Sequence, residues 1–142
     1  VKDALVRGVD EDTLAFDSVL DAMRMPKDTE EELAVRAAAM QEGYKAATRV
    51  PLGTVEQCKA ALDLCREMAD HADPNMISDV GTGAHMARAG AHAAAYNVRI
   101  NLPSIEDEAF RNEMIEGLGS LVSECDRIAD EVAEKVNEAL EY

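Results

Sequence analysis

Asp12 stands where the pattern of its segment asks for a core residue. Within residues 1–24, Leu5, Val9, Asp12, Phe16, Val19 and Met23 recur at alternating steps of four and three, the spacing of one helix face, and all but Asp12 are apolar. A carboxyl withdrawn from water favours its neutral form unless a cation or several donors hold it ionised. A carboxyl tuned in that way is what general acid or base catalysis near neutral pH requires. A structural role fits the same position, either capping a neighbouring helix or pairing with a buried Arg. A second polar set lies in residues 74–102, where Asp79, Gly83, Met86, Gly90, Ala93 and Asn97 share one helical face. An acid and an amide thus stand at its two ends, with Arg99 and Asn101 close to the amide. The plainer reading of this face is an N-terminal acid at Asp79 favoured by the helix dipole and a polar C-terminus.

The remaining reactive residue types offer less. His85 and His92 are seven positions apart, whereas Zn sites built on one helix use i and i+4, so no metal site is expected. The three Cys fall inside apolar helical stripes and read as small hydrophobes in a reducing compartment.

Helices must position these groups. The first spans residues 1–24 and stops at Met25-Pro26, since a residue before Pro avoids the helical region. Lys27 follows in the loop. Thr29 to Glu32 is a capping box opening a second helix, with Leu33, Ala37, Met40, Tyr44 and Ala47 as its buried stripe. Arg49-Val50-Pro51 is expected to end it, and Pro51 or Thr54 to open a third, with Val55, Cys58, Leu62, Cys65 and Ala69 as the seam. His71-Ala72-Asp73-Pro74 is a turn. The central helix comes next, with Ile77, Val80, Ala84, Ala87, Ala91, Ala94 and Val98 on one face, so small that neighbouring backbones can come close. Leu102-Pro103-Ser104 breaks it. Ser104 and Asp107 form a possible capping pair for a last long helix with the stripe Phe110, Met114, Leu118, Leu121, Cys125, Ile128 and Val132, bent near Gly117 and Gly119. The expectation is an all-α bundle of about five antiparallel helices around an Ala/Gly-rich centre, with apolar surface left for a second copy to cover as a homodimer.

At 142 residues the chain suits one domain with a substantial core. A formal charge of −15 lacks the basic footprint of a nucleic-acid binder and disfavours anionic membranes. No run of 18 apolar residues and no signal-peptide pattern appears. A cytoplasmic location is expected.

Four segments, VDEDTLAFDSVLDAMRMPKDTEEE, QEGYKAATRVPLGT, ISDVGTGAHMARAGAHAAAYNVRINL and DEAF, resemble in this order the formiminotransferase-cyclodeaminase C-terminal domain family. The V-D-x-D-x-x-A-F, M-P-K and N-V-x-I-N-L patterns are fairly specific in combination. The resemblance places the family's catalytic acid on Asp12, which periodicity had singled out independently. It implies an all-helical dimer acting on tetrahydrofolate derivatives, alone or with a formiminotransferase domain or partner, and no cofactor beyond the folate substrate. The family's Pro-x-Pro-Gly-Gly-Gly-Ser opening is not among these residues and Val1 is not an initiator Met, so the natural protein is expected to continue upstream.

Under this resemblance the expected activity is formimidoyltetrahydrofolate cyclodeaminase. N10 attacks the N5-formimino carbon, ammonia leaves, and the 5,10-methenyl bridge remains, with Asp12 moving the proton. Lys27 and Arg99 would hold the anionic tail, whether mono- or polyglutamylated, and Asp79, Asn97 and Asn101 would bond the pterin edge. Methenyltetrahydrofolate cyclohydrolase is the alternative, because water adding to the same carbon needs the same groups. A non-catalytic helical interaction module is the third reading.

Overall fold

A computed structural model describes residues 1–71 and 73–140. Four helices connect in sequence: α1 (Lys2–Arg24), α2 (Glu30–His71), α3 (Ile77–Asn101) and α4 (Glu108–Leu140). A 3-10 turn, Leu102–Ser104, joins the last two, and no strand occurs among the described residues. The capping box at the start of α2 forms as expected, Thr29 Oγ1 accepting from Glu32 N at 3.2 Å and Glu32 Oε2 accepting from Thr29 N at 3.1 Å. At α4 the expected Ser104–Asp107 pair is replaced by Asp107 alone. Its Oδ1 accepts from Phe110 N at 3.0 Å, and Oδ2 takes Lys45 Nζ at 2.9 Å. The turn before α3 is an Asx turn, Asp73 Oδ1 accepting from Asn75 N at 2.9 Å. Ala72, in the same expected turn, lies outside the described residues.

The main departure from expectation is at Pro51, which does not divide two helices. It sits inside α2, a single helix of 42 residues and about 63 Å at 1.5 Å per residue. Proline removes the N–H that would bond the carbonyl four residues back, here that of Ala47. Another chain segment supplies that donor: Asn101 Nδ2, at the end of α3, lies 2.9 Å from Ala47 O. The bundle therefore has four long helices, with the expected second and third fused.

Small residues set the approach of the helices. A Cβ on Gly90 would come within 3.1 Å of Cys58 Sγ, and one on Gly83 within 3.4 Å of Cys65 Sγ. A step of seven forward on α3 thus matches seven backward on α2, and continuing the register brings Asn97 level with Pro51. On the other flank Gly43 backs onto Val19, 3.3 Å from its Cα, and Gly8 faces Thr54. That antiparallel register brings Glu11 and Asp12 to the same level. α4 closes the opposite side of α2 and α3. Val55, Leu62, Val98, Ile105 and Val132 are fully buried in the common core, each contributing about 1.5–3 kcal/mol relative to exposure. The expected small-residue face of α3 is buried, with Ala87 half-covered at its margin. α4 runs unbroken through Gly117 and Gly119.

α1 is the least covered element. It packs mainly on α2 and buries only Ala15, Val19 and Ala22. Val9 and Phe16, expected in the core, are 68% and 58% exposed, and Asp12 is exposed with them. The apolar stripe predicted an inward face correctly in period but not in phase. The buried strip is shifted toward Ala15 and Ala22 and keeps only Val19 of the expected stripe, and there Val19 packs against Gly43 of α2.

Candidate functional site

Where the two registers coincide, the helices leave a cleft of ≈ 390 Å³ walled by Leu5, Val9 and Asp12 of α1, Pro51 and Thr54 of α2, and Ala93 and Asn97 of α3. A recess of ≈ 180 Å³ adjoins it, lined by Asp12, Phe16, Ala47, Asn97, Ile100 and Asn101. Asp12 and Asn97 border both. The cleft falls within the size range of small-molecule sites, about 300–1,000 Å³, and has their character: apolar walls with a few polar groups.

Each helix supplies its part for a local reason. Asp12 stands on the side of α1 next to the buried strip, so its carboxylate reaches the cleft while remaining in contact with water. It has no hydrogen-bond or ion-pair partner among the described residues. The dry environment inferred from periodicity is absent in the single chain. Asn97 is exposed on the facing wall. Asn101 is half-buried one turn on, its Nδ2 donating to Ala47 O at 2.9 Å and Asn97 O at 3.0 Å. The hydroxyls of Thr13 and Thr54, which also line the cleft, donate to carbonyls one turn back, Val9 O at 3.1 Å and Val50 O at 3.5 Å.

Of the six residues singled out in the sequence, the fold gathers Asp12, Asn97 and Asn101. Asp79 lies in the first turn of α3, about 27 Å along the axis from Asn97 at 1.5 Å per residue. Arg99 is two residues from Asn97, on the far side of the helix, and Lys27 follows the distant end of α1. None of these three lines the cleft or its recess. A cation missed in the sequence is Arg7. It lines a further cleft of ≈ 310 Å³ with Arg49, Glu11, Glu56 and Gln57, and this cleft shares Leu5, Gly8 and Thr54 with the Asp12 cleft. Arg7 makes no ion pair among the described residues, whereas the Arg49 guanidinium lies 4.8 Å from the centre of the Phe110 ring.

Other titratable clusters serve packing. Asp126 joins α4 to α3, its Oδ1 2.7 Å from Arg88 Nε and 2.8 Å from His92 Nε2, and these bonds hold its carboxyl below the usual range. Burial pushes up the thiols of Cys58, Cys65 and Cys125, the last to about 11, so they are poor nucleophiles at neutral pH.

Comparison with known proteins bears on what the cleft accommodates. A family model described as formiminotransferase-cyclodeaminase matches residues 1–119. A methenyltetrahydrofolate cyclohydrolase of Methylorubrum extorquens is 40% identical over 131 residues, covering 89% of this chain and 63% of the relative. The formimidoyltransferase-cyclodeaminase of Gallus gallus is 38% identical over 123 residues, covering 87% of this chain and 23% of the relative. The chain thus spans less than two thirds of either relative's length. A crystal structure of the formiminotetrahydrofolate cyclodeaminase of Thermotoga maritima superposes with a TM-score of 0.83 at 25% identity, over 97% of this chain and 65% of that one.

Proposed function

The chain belongs to the formiminotransferase-cyclodeaminase family, and we propose that within it the protein hydrolyses 5,10-methenyltetrahydrofolate, with Asp12 as the group that moves the proton. One observation carries this reading: the unpaired Asp12 carboxylate faces the Asn97 amide across a cleft that is otherwise mostly apolar. A flat pterin fits between Leu5, Val9, Ala93 and Pro51, with Asn97 free to bond its polar edge. In the reaction the oxygen of water bonds to the bridging carbon and the bond from that carbon to N5 breaks. N5 takes one proton, a second is released, and the formyl group stays on N10. Asp12 as carboxylate accepts the proton of the attacking water and, once protonated, supplies one to N5.

Placing hydrolysis before ammonia release reverses the order expected from the sequence. Its support is the 40% identity to a cyclohydrolase of which this chain covers 63%, against 23% of the chicken protein. Cyclodeamination is the second reading, supported by the 0.83 TM-score to a protein titled formiminotetrahydrofolate cyclodeaminase. The tail of the folate is assigned to Arg7 and the adjoining cleft rather than to Lys27 or Arg99. A homodimer through the exposed Val6, Leu14, Met86 and Tyr96 belongs to the same proposal, as does a formiminotransferase domain or partner, and light scattering of the full-length protein tests the dimer.

The deciding experiment gives the full-length protein each folate separately. Loss of the methenyl chromophore at a rate well above the uncatalysed one supports hydrolysis. Ammonia release from 5-formiminotetrahydrofolate without that loss transfers the assignment to the second reading. Failure to bind any reduced folate leaves a non-catalytic helical module.

A further inference from the structure

Asn101 borders the candidate site, and the simplest role for an amide there is to bond the substrate. Its hydrogen bonds argue otherwise. Both Nδ2 protons are committed to carbonyls, Ala47 O at 2.9 Å on α2 and Asn97 O at 3.0 Å on α3. Two carbonyl partners also fix the amide's orientation, since only the NH2 group can donate to both. One of those carbonyls has lost its helical partner. Pro51 has no N–H to return to Ala47 O, and Ala47 is buried at 7% exposure, so a bare acceptor there would be deprived of water as well.

We infer that Asn101 is a positioning residue paired with Pro51: its side-chain amide replaces the hydrogen bond that Pro51 deletes from α2, and so fixes the height at which α3 presents Asn97 opposite Asp12. The pair solves a geometric problem. Pro51 forms part of the cleft wall and gives it an apolar surface without an N–H, but a proline in mid-helix leaves a carbonyl open. Asn101 fills that acceptor from the neighbouring helix, one turn beyond Asn97. The same bond ties the end of α3 to the middle of α2, level with Asp12. Loss of either partner therefore matters according to whether the other is present, which no independent substrate ligand would show.

The catalytic arm of the test rests on the proposed folate activity, while the folding arm does not. Asn101→Ala is introduced into the full-length protein with Pro51 intact and again together with Pro51→Ala, and urea unfolding and methenyltetrahydrofolate hydrolysis are measured. With Pro51 intact, the substitution lowers the folding equilibrium constant about tenfold, which corresponds to about 1.4 kcal/mol. It lowers kcat by about the same factor, with KM changing less than about threefold, because the substrate contacts survive but their spacing slips. In Pro51→Ala the restored N–H reaches Ala47 O, so that, measured against Pro51→Ala alone, both losses from Asn101→Ala shrink to less than about threefold. Should Asn101→Ala fail to fold, Asn101→Ser, which keeps a shorter donor, goes through the same cycle. A rise in KM of equal size in both backgrounds would make Asn101 a substrate ligand and overturn the inference, as would unfolding losses that simply add. If no folate is turned over by the unsubstituted protein, the functional reading fails, and the unfolding cycle alone decides: non-additivity upholds the pairing and additivity rejects it.

Discussion

Gly43→Ala tests the docking of α1, on which the position of Asp12 depends. A Cβ at Gly43 would lie 3.0 Å from Val19 Cγ2 and 3.3 Å from both Val19 Cα and N. A side chain can rotate away from such a contact, but the backbone of α1 can yield only by moving the helix. Two effects oppose each other. Alanine improves helix propensity by about 1 kcal/mol over glycine, and forcing a methyl into a filled contact costs about 1–3 kcal/mol. The net expectation is a loss of up to about 2 kcal/mol. Gly119→Ala in α4 isolates the first effect, because nothing lies within 4 Å of a Cβ there, and it should stabilise by about 1 kcal/mol. Urea unfolding of the two variants should therefore separate them by about 1–3 kcal/mol, the packing cost alone. Methenyltetrahydrofolate hydrolysis should fall in Gly43→Ala beyond what its folded fraction explains, because α1 carries Asp12 away from Asn97. If Gly43→Ala stabilises as much as Gly119→Ala, the backbone contact between α1 and α2 does not exist and the cleft built on it falls too.

The Asp107 cap gives a pH dependence. The Phe110 amide, and then Lys45, hold its carboxyl below the ordinary 3.8. The stability it contributes is therefore present above that value and is lost as pH falls through the lower folded one. Asp107→Asn should flatten acid unfolding at low pH, and an unchanged acid limb would reject the cap. Cys58 and Cys125 are buried with raised thiol values, so iodoacetamide at neutral pH should label half-buried Cys65 first and the other two only as urea unfolds the chain. Early labelling of Cys125 would contradict the α2–α4 packing. Arg7→Ala should raise KM for a polyglutamylated folate severalfold more than for the monoglutamate, while Lys27→Ala should affect both equally. The reverse pattern would return the tail to Lys27.

The sequence disclosed much of this arrangement through local rules. The Thr29–Glu32 box, the small-residue face of α3 and the stripe of α4 all follow from caps and period, and they appear where expected. Pro51 misled because the rule for proline counts only the hydrogen bond lost within its own helix. The donor that replaces it belongs to Asn101, fifty positions away, and tertiary contact outweighed local propensity. At Asp12 the period was right and the phase was not, since α1 docks through Val19 onto Gly43 of another helix, a contact that no pattern within α1 reveals. Asp79 and Arg99 were grouped with Asn97 by sequence, yet axial rise carries one far along α3 and helical rotation turns the other away. Arg7 breaks no local pattern, and nothing before the fold links it to Arg49 or Gln57.

Asp12→Asn tests the central claim most directly, because it nearly preserves shape and removes the carboxyl group that would accept and return the proton. Turnover of methenyltetrahydrofolate by the full-length variant should drop by about 10²–10⁴-fold, the range for a general acid or base. Binding of a reduced folate, measured by calorimetry, should be retained. Turnover equal to that of the unsubstituted protein would remove Asp12 from the chemistry and contradict the account.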